Sequence, residues 1–149
     1  MMTVRCCLAP SAIEGSGVFA TEPIAKGAVA WRLDPILDQI IPEEVVASQP
    51  PHVRQFLERY SYPHHQLSGM IVLDADEGRF MNHCDQPNLD FSDPDYGVAV
   101  RDIAAGEELT CDYAAFTIGD IVHQPPRHRV HAFAASTSIH NADAAAGAG

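Results

Sequence analysis

Lysine is nearly absent from this sequence: Lys26 is the only one, and nine basic residues in all oppose twenty acidic ones. The formal net charge is therefore −11 at pH 7. An acidic surface repels a phosphate backbone and attracts cations, which disfavours nucleic acid as a direct ligand. We expect a basic protein as the partner, although a surface that only maintains solubility would explain the same charge.

Disulfide patterns and long apolar runs are missing as well. The four cysteines form no Cys-x-x-Cys pair, and no run approaches the roughly 20 apolar residues that span a bilayer. Residues 1–15 lack a basic stretch followed by an apolar one, which disfavours a secretory signal. With 149 residues, 46% of them hydrophobic, the chain is long enough for one domain with its own core. We therefore expect a soluble, cytoplasmic protein without a membrane partner.

Short apolar runs between turn residues predict a mainly β protein. Three of these runs predict strands, at residues 18–20, 28–33 and 70–73. Residues 97–103 and 108–113 flank a short turn, which predicts a β-hairpin.

A helical insert interrupts the strands. Pro42, followed by two glutamates, is typical of a helix N-terminus. The apolar spacing across residues 53–60 matches one face of a second helix. Beyond these elements, residues 117–149 contain breakers and an Ala/Gly-rich end. We expect this tail to pack in part on the core and to become disordered from about Ala134 onward.

The first segment that could bind a ligand contains Gly15, Ser16 and Gly17. Glycines carry no Cβ and tolerate positive φ, so this backbone can approach a ligand closely. No third glycine and no helix follow at the spacing of a nucleotide-binding motif. An ordinary β-turn explains the same residues.

The second segment runs from Arg79 to Asn88 and is dense in side chains that close tight turns. It leaves the Asn82 amide and the His83 imidazole available for a polar ligand. His83, Cys84 and Asp85 are all metal-ligand types, but adjacent residues rarely point at one centre. We therefore expect no metal here.

The third segment, residues 106–113, ends in Tyr113. On a strand, Tyr113 would share a face with Leu109 and Cys111, opposite Thr110 and Asp112. Its ring would then enter the interior, where the hydroxyl needs a partner. A core tyrosine explains this pattern as well as a catalytic one.

Taken in order, the three segments closely resemble the SET-domain family of protein lysine methyltransferases, over roughly residues 3–116. The resemblance implies a fold of small β-sheets in which the C-terminal segment threads a loop to form a pseudoknot. It also implies a SET domain at 1–116 and a separate tail at 117–149.

The same resemblance implies S-adenosylmethionine as the cofactor and Tyr113 as the catalytic residue. It implies that cofactor and substrate enter a narrow channel from opposite sides. The cofactor-binding residues would be Gly15, Ser16, Gly17, Arg79, Asn82, His83, Tyr113 and Phe116.

The lysine channel is predicted from the same family pattern and from departures from it. Tyr60 or Tyr62 would complete the channel, and Cys111 stands where a larger aromatic residue is common. The smaller side chain predicts room for dimethyl or trimethyl products. Residues 114–149 contain no cysteine, so no zinc-bound lid can form there; Phe116, or less strongly Phe133, would cover the channel instead.

The implied reaction is the transfer of methyl groups to a lysine side-chain amine of a protein, which we expect to be a basic protein. The attacking nitrogen must be neutral. At pH 7, deprotonating a free lysine costs about 4–5 kcal/mol. An apolar channel and a nearby sulfonium both lower the pKa of the amine. Two alternatives stay open, namely a module that binds cofactor or peptide without turnover and a methyltransferase for a different acceptor. The resemblance also leaves open whether two chains form a homodimer.

Overall fold

The computed structural model describes residues 1–116, and short strands in three small sheets make up much of this part of the chain. The strands are β1 (Cys6–Pro10), β2 (Ser16–Ala20), β3 (Val29–Arg32), β4 (Gln39–Pro42), β5 (Ser61–Pro63), β6 (Met70–Leu73), β7 (Asn82–His83), β8 (Leu89–Asp90), β9 (Tyr96–Ala99) and β10 (Glu108–Cys111). The helices are α1 (Glu43–Ala47), α2 (Pro51–Tyr60) and two 3-10 helices, Glu77–Phe80 and Tyr113–Phe116. The predicted fold class, mainly β with a short helical insert, is confirmed.

The four-stranded sheet has the order β1-β2-β10-β7. Strand β2 is antiparallel to both β1 and β10, so that Val18 lies opposite Leu8 on one side and Leu109 on the other. Strand β10 is parallel to β7. Because β10 lies between β2 and β7, the three segments singled out in the sequence are on neighbouring strands.

The other two sheets are antiparallel and have the orders β3-β9-β8 and β4-β6-β5. In β3 the register shifts between Val29 and Trp31. A bulge of this kind breaks the alternation of side chains along a strand. Ala30 and Trp31 are consequently both buried although they are neighbours in sequence.

The main hydrophobic core joins the first two sheets. Its members are apolar residues from most of the strands, and burying them supplies the main free energy of folding. They are Val18, Ala20, Ile24, Ala30, Trp31, Met81, Leu89, Phe91, Ala99, Ile103, Leu109 and Cys111.

Both helices of the predicted insert are confirmed. Helix α2 begins with Pro51 at its first turn, where the missing N–H of proline costs no hydrogen bond. Only Leu57 of α2 is buried, and Phe56 on the same predicted face is 41% exposed. The insert therefore lies on the rim of the fold, and the C-terminal end of α2 faces the site described below.

The predicted hairpin of residues 97–103 and 108–113 is wrong, because β9 and β10 belong to different sheets. The Asn88 side chain takes the place of a neighbouring strand. Its Oδ1 accepts from the Thr110 N–H at 2.8 Å, and its Nδ2 donates to the Glu108 carbonyl at 2.7 Å. Backbone groups of β10 that a hairpin would have paired are thus satisfied by an amide side chain.

The predicted strands at 18–20 and 28–33 exist as β2 and β3, which lie in different sheets. The expectation that Tyr113 continues the third segment's strand is wrong, because β10 ends at Cys111 and Tyr113 begins a 3-10 helix. The expectations for residues 117–149, including Phe133, lie outside the described residues.

Candidate active site

The glycine turn at the start of β2 is shaped by its neighbours on β7 and β10. Gly15 has a φ of +52°, which favours glycine. A Cβ on Gly17 would overlap Glu108 Oε1 and lie 3.2 Å from Asn82 Nδ2. The glycine therefore lets these two side chains pack closely on β2, in addition to any approach to a ligand.

Asn82 connects this turn to the sheet through hydrogen bonds of its side-chain amide. Its Nδ2 lies 3.1 Å from the Glu14 carbonyl, 3.3 Å from the Ser16 carbonyl and 2.8 Å from Glu108 Oε1. Glu108 also accepts from the Ser11 hydroxyl at 2.9 Å. One amide and one carboxylate thus hold the turn in a fixed position relative to β10.

His83 positions the residue that follows β10. Its Nδ1 accepts a hydrogen bond from the Tyr113 N–H at 3.2 Å, so the ring proton of the neutral imidazole is on Nε2. That nitrogen lies 3.1 Å from Asp85 Oδ1. The rings of His83 and Tyr113 are 5.3 Å apart between centroids.

The Tyr113 hydroxyl has a hydrogen-bond partner in the interior, as expected from the sequence. It donates to the Met81 carbonyl at 2.8 Å. Burial of the ring raises the pKa of the Tyr113 hydroxyl above its usual value, and the neighbouring Cys111 raises it further. The phenol is therefore protonated at neutral pH.

Two cavities meet beside Tyr113. The first, which we call the polar cavity, has a volume of about 200 Å³ and is lined by Glu14, Gly15, Ser16, Arg59, Tyr60, Arg79, Phe80, Met81, Asn82 and Tyr113. The second, which we call the aromatic cavity, has a volume of about 70 Å³ and is lined by Trp31, Arg59, Tyr60, Ser61, Tyr62, Asp74, Gly78, Arg79, Met81, Phe91, Cys111 and Tyr113.

The two cavities divide the predicted site residues between them. Gly15, Ser16, Arg79, Asn82 and Tyr113, all predicted to bind cofactor, line the polar cavity. Gly17 and His83, which carry the same prediction, do not line either of the two cavities.

The three predicted channel residues line the aromatic cavity. Both tyrosine candidates, Tyr60 and Tyr62, are there, together with Cys111. Burial raises the pKa of the Cys111 thiol, which keeps it neutral. For Phe116 the structure describes the backbone, as the end of the second 3-10 helix, and the predictions for its side chain lie outside what is described.

Sequence reasoning predicted Arg79 but missed other charged residues that line these cavities. Arg59, at the end of α2, reaches the glycine turn and pairs with Glu14 at 2.9 Å between Nη2 and Oε1. No local pattern indicates this contact, because 45 residues separate the partners.

Asp74 and Trp31 were also missed. Asp74 follows β6 and is only 4% exposed. Its Oδ2 accepts from Trp31 Nε1 at 3.1 Å, and its Oδ1 accepts from the Tyr62 hydroxyl at 3.0 Å. The available signal was the indole N–H, which must find an acceptor when the ring is buried.

Within residues 1–116, no three His, Cys, Asp or Glu side chains gather as they would around a metal ion. In the same part of the chain, no helix is both long and apolar enough to cross a membrane.

Comparisons with known proteins place this geometry in a family. No curated protein matches the chain. Among solved structures, the chain resembles a humanized mutant of the Chaetomium thermophilum Polycomb Repressive Complex 2 bound to the inhibitor GSK126, with a TM-score of 0.56 and 22% identity. The match covers 76% of this chain and 15% of that one, so the chain spans only a small part of that relative's length.

A second solved structure is a Plasmodium falciparum protein named for a proposed histone methyltransferase activity. It has a TM-score of 0.53 and 21% identity, and the match covers 75% of this chain and 95% of that one. The model of the SET-domain family matches residues 15–114. This range includes Gly15 to Gly17, Tyr113 and every described lining residue of the two cavities except Glu14. The protein belongs to the SET-domain family.

Proposed function

We propose that the protein transfers methyl groups from S-adenosylmethionine to a lysine side chain of another protein. The observation that carries this proposal is the wall between the two cavities, where Tyr113 contacts both. A methyl donor in the polar cavity and an amine in the aromatic cavity would meet at that wall. Holding two reactants in such an arrangement removes much of the entropic cost of their encounter.

The polar cavity suits the charges of the methyl donor. The amino-acid end of S-adenosylmethionine carries an ammonium and a carboxylate, which Glu14 and Arg59 complement. Arg79 lines the same cavity, and its Nε is buried without a hydrogen-bond partner among the described residues. When bound, the cofactor supplies an electrophilic methyl group. Gly15, Ser16 and Asn82 would hold it from the opposite side, with Gly17, His83 and Phe116 as the remaining predicted contacts.

Tyr113 acts in this proposal as an orienting group. Its proton is committed to the Met81 carbonyl, and burial raises its pKa, so it does not act as a base at neutral pH. The hydroxyl oxygen keeps a lone pair that can contact the polarised methyl hydrogens. Tyr113 would therefore align the methyl group with the incoming nitrogen.

The acidic chain suits a basic protein as the substrate. A net charge of −11 raises the local concentration of cationic segments and repels nucleic acid and anionic lipid surfaces. The aromatic cavity would receive the lysine side chain between Tyr60 and Tyr62.

The number of methyl groups depends on Cys111 in this proposal. A sulfhydryl leaves more space in the aromatic cavity than a phenyl ring, so dimethyl-lysine and trimethyl-lysine are expected products. Replacing Cys111 by Phe should shift the products toward monomethyl-lysine. Mass spectrometry of a methylated peptide with excess cofactor measures this distribution, and only monomethyl-lysine from the unmodified protein would contradict it.

The proposed function is tested in two steps. Calorimetry with S-adenosylmethionine measures cofactor binding, and radiolabel transfer to a mixture of basic proteins measures activity. Tyr113→Phe should retain binding and lose about 100-fold in kcat. The matched control is Tyr96→Phe, a partly exposed tyrosine on β9 that lines neither cavity.

Other outcomes separate the alternatives. Binding without transfer to any protein would favour a module that has lost turnover, and transfer to small molecules alone would favour a different acceptor. Cytoplasmic location and a homodimer stay predictions, which cell fractionation and light scattering would test.

A further inference from the structure

The aromatic cavity contains a carboxylate that the proposed methyl transfer does not yet use. Among the described residues that line this cavity, Asp74 is the only Asp or Glu. The described lining also includes five aromatic side chains and two arginines, namely Trp31, Tyr60, Tyr62, Phe91, Tyr113, Arg59 and Arg79. Aromatic faces attract alkylammonium groups, and a carboxylate in a dry cavity attracts them more strongly.

The contacts of Asp74 leave it able to take another donor. Each of its oxygens accepts one hydrogen bond, Oδ2 from Trp31 and Oδ1 from Tyr62. A carboxylate has about four acceptor positions, so each oxygen retains capacity. Gly78 lines the cavity beside Oδ2, and a Cβ at that position would lie 2.7 Å from Oδ2. A glycine here keeps that oxygen uncovered.

Burial makes this carboxylate a better proton acceptor than an exposed one. It raises the pKa of Asp74 to about 6, and the nearby Asp38 raises it as well. The amino group of Met1 and the hydrogen bonds from Tyr62 and Trp31 act in the opposite direction. Among other groups close to it, Cys111 is a neutral thiol, and Arg79 donates to the Asp74 carbonyl at 3.4 Å. Asp74 is therefore ionised but basic at neutral pH.

We propose that Asp74 binds the side-chain ammonium of the substrate lysine and accepts its proton. This inference rests on the proposed methyl transfer. The N–H bond of the ammonium breaks, the proton passes to an oxygen of Asp74, and the electron pair stays on nitrogen. That pair forms the new N–C bond while the C–S bond of the methyl donor breaks, leaving its electron pair on sulfur. Asp74 returns the proton to solvent after the product leaves.

The first test measures binding without turnover. A basic peptide with one lysine is titrated into the full chain with S-adenosylhomocysteine present. Affinity should increase about tenfold from pH 5 to pH 7 as Asp74 ionises, and Asp74→Asn should abolish this increase. A peptide with norleucine in place of lysine should bind both proteins equally, because it has the same stem without the amine. A wild-type affinity that stays flat with pH would overturn the proposal.

The second test measures kcat against pH. Asp74→Asn should lower kcat at pH 7 by about 100-fold, and its rate should rise about tenfold per pH unit toward pH 9 as lysine deprotonates on its own. The wild-type rate should level off above pH 7. Trp31→Phe removes one hydrogen bond to the carboxylate and should move the acidic limb of the profile to higher pH.

Controls separate the possible failures. Asp93→Asn alters an exposed turn outside both cavities and should follow the wild type in both tests. Unchanged binding of S-adenosylmethionine shows that each variant is folded. If the wild type methylates lysine and Asp74→Asn keeps its pH profile, the role of Asp74 is wrong and the proposed function stands. If the wild type methylates no lysine, both fail.

Discussion

The polar cavity and the aromatic cavity share a wall but hold their charged groups in different ways. In the polar cavity, Glu14 and Arg59 form an ion pair whose side chains are 38% and 29% exposed. In the aromatic cavity, Asp74 is almost fully buried and is held by the neutral donors Trp31 and Tyr62. An exposed ion pair contributes little free energy, so a charged ligand can replace one of its members at little cost. The pKa of a buried acid, in contrast, changes when a charged group enters the cavity. A carboxylate can therefore affect ligand affinity in one cavity, as expected for Glu14, and proton transfer in the next, as proposed for Asp74.

The largest expected effect concerns the pH dependence of stability at Asp74. Its pKa of about 6 in the folded protein lies above the ordinary value of 3.8, so the folded state binds this proton more tightly than the unfolded state. The resulting stabilisation is full below the ordinary pKa and is lost as the pH rises through about 6. From pH 4 to pH 7, Asp74→Asn should therefore gain about 2.5 kcal/mol of unfolding free energy relative to the wild type.

Chemical denaturation at the two pH values measures this difference, with Asp93→Asn as the exposed control. If the free energy of unfolding changes with pH in the same way in the wild type and in Asp74→Asn, the prediction that Asp74 titrates differently because it is buried is wrong.

The same substitution in each cavity should have a different cost. In Gly78→Ala, the new methyl group would crowd Asp74 Oδ2 and, at 3.1 Å, Trp31 Nε1, so we expect a loss of about 2 kcal/mol from overpacking. In Gly15→Ala the nearest atom is Arg59 Nη2 at 3.7 Å, and we expect about 1 kcal/mol from the left-handed φ alone. Thermal unfolding of both variants measures the difference. Equal losses would mean that the aromatic cavity is no more tightly packed than the polar one.

Arg59 should matter for ligand affinity more than for folding. Arg59→Ala is expected to weaken binding of S-adenosylmethionine about tenfold, since a hydrogen bond between charged groups is lost. Binding of 5′-methylthioadenosine, which lacks the amino-acid end, should not change. Arg54→Ala on the same helix lies outside both cavities and is the matched control. Equal losses for the two ligands would place the amino-acid end elsewhere.

The smallest effect on stability is expected at Glu14, the ion-pair partner of Arg59. Glu14→Gln removes one charge of an ion pair in contact with solvent, which contributes about 0.5 kcal/mol to stability or less. Unfolding at low and high salt measures it, because screening weakens such a pair. A loss several times larger would show that the polar cavity is as dry as the aromatic one.

Local patterns in the sequence predicted the elements that carry the site. The apolar spacing along residues 53–60 and the proline before α1 depend only on neighbouring residues, and both helices are confirmed. The three segments that gave the family resemblance also depend on short spacing. They predicted a site at Gly15, Asn82 and Tyr113, and these three residues do line one cavity.

Long-range contacts could not be predicted in the same way. The hairpin around residues 104–106 failed because Asn88, 22 residues from Thr110, occupies the edge that the turn chemistry assigned to another strand. The contact of Asp74 with Trp31 was missed because 43 residues separate the two. Turn propensity describes the backbone, and it does not show which side chains the fold brings to it.

The central place of β10 has a consequence for how the protein is made. Strand β10 fills the gap between β2 and β7, so neither of these strands has its full set of partners until residue 111 has been synthesised. A chain that stops before Glu108 would carry most of its core residues and still present two open strand edges, which are prone to aggregation. Assembly of the two cavities and completion of the sheet are thus one late event. Slow folding is expected, because the strand pairs of β10 join segments that are far apart in sequence.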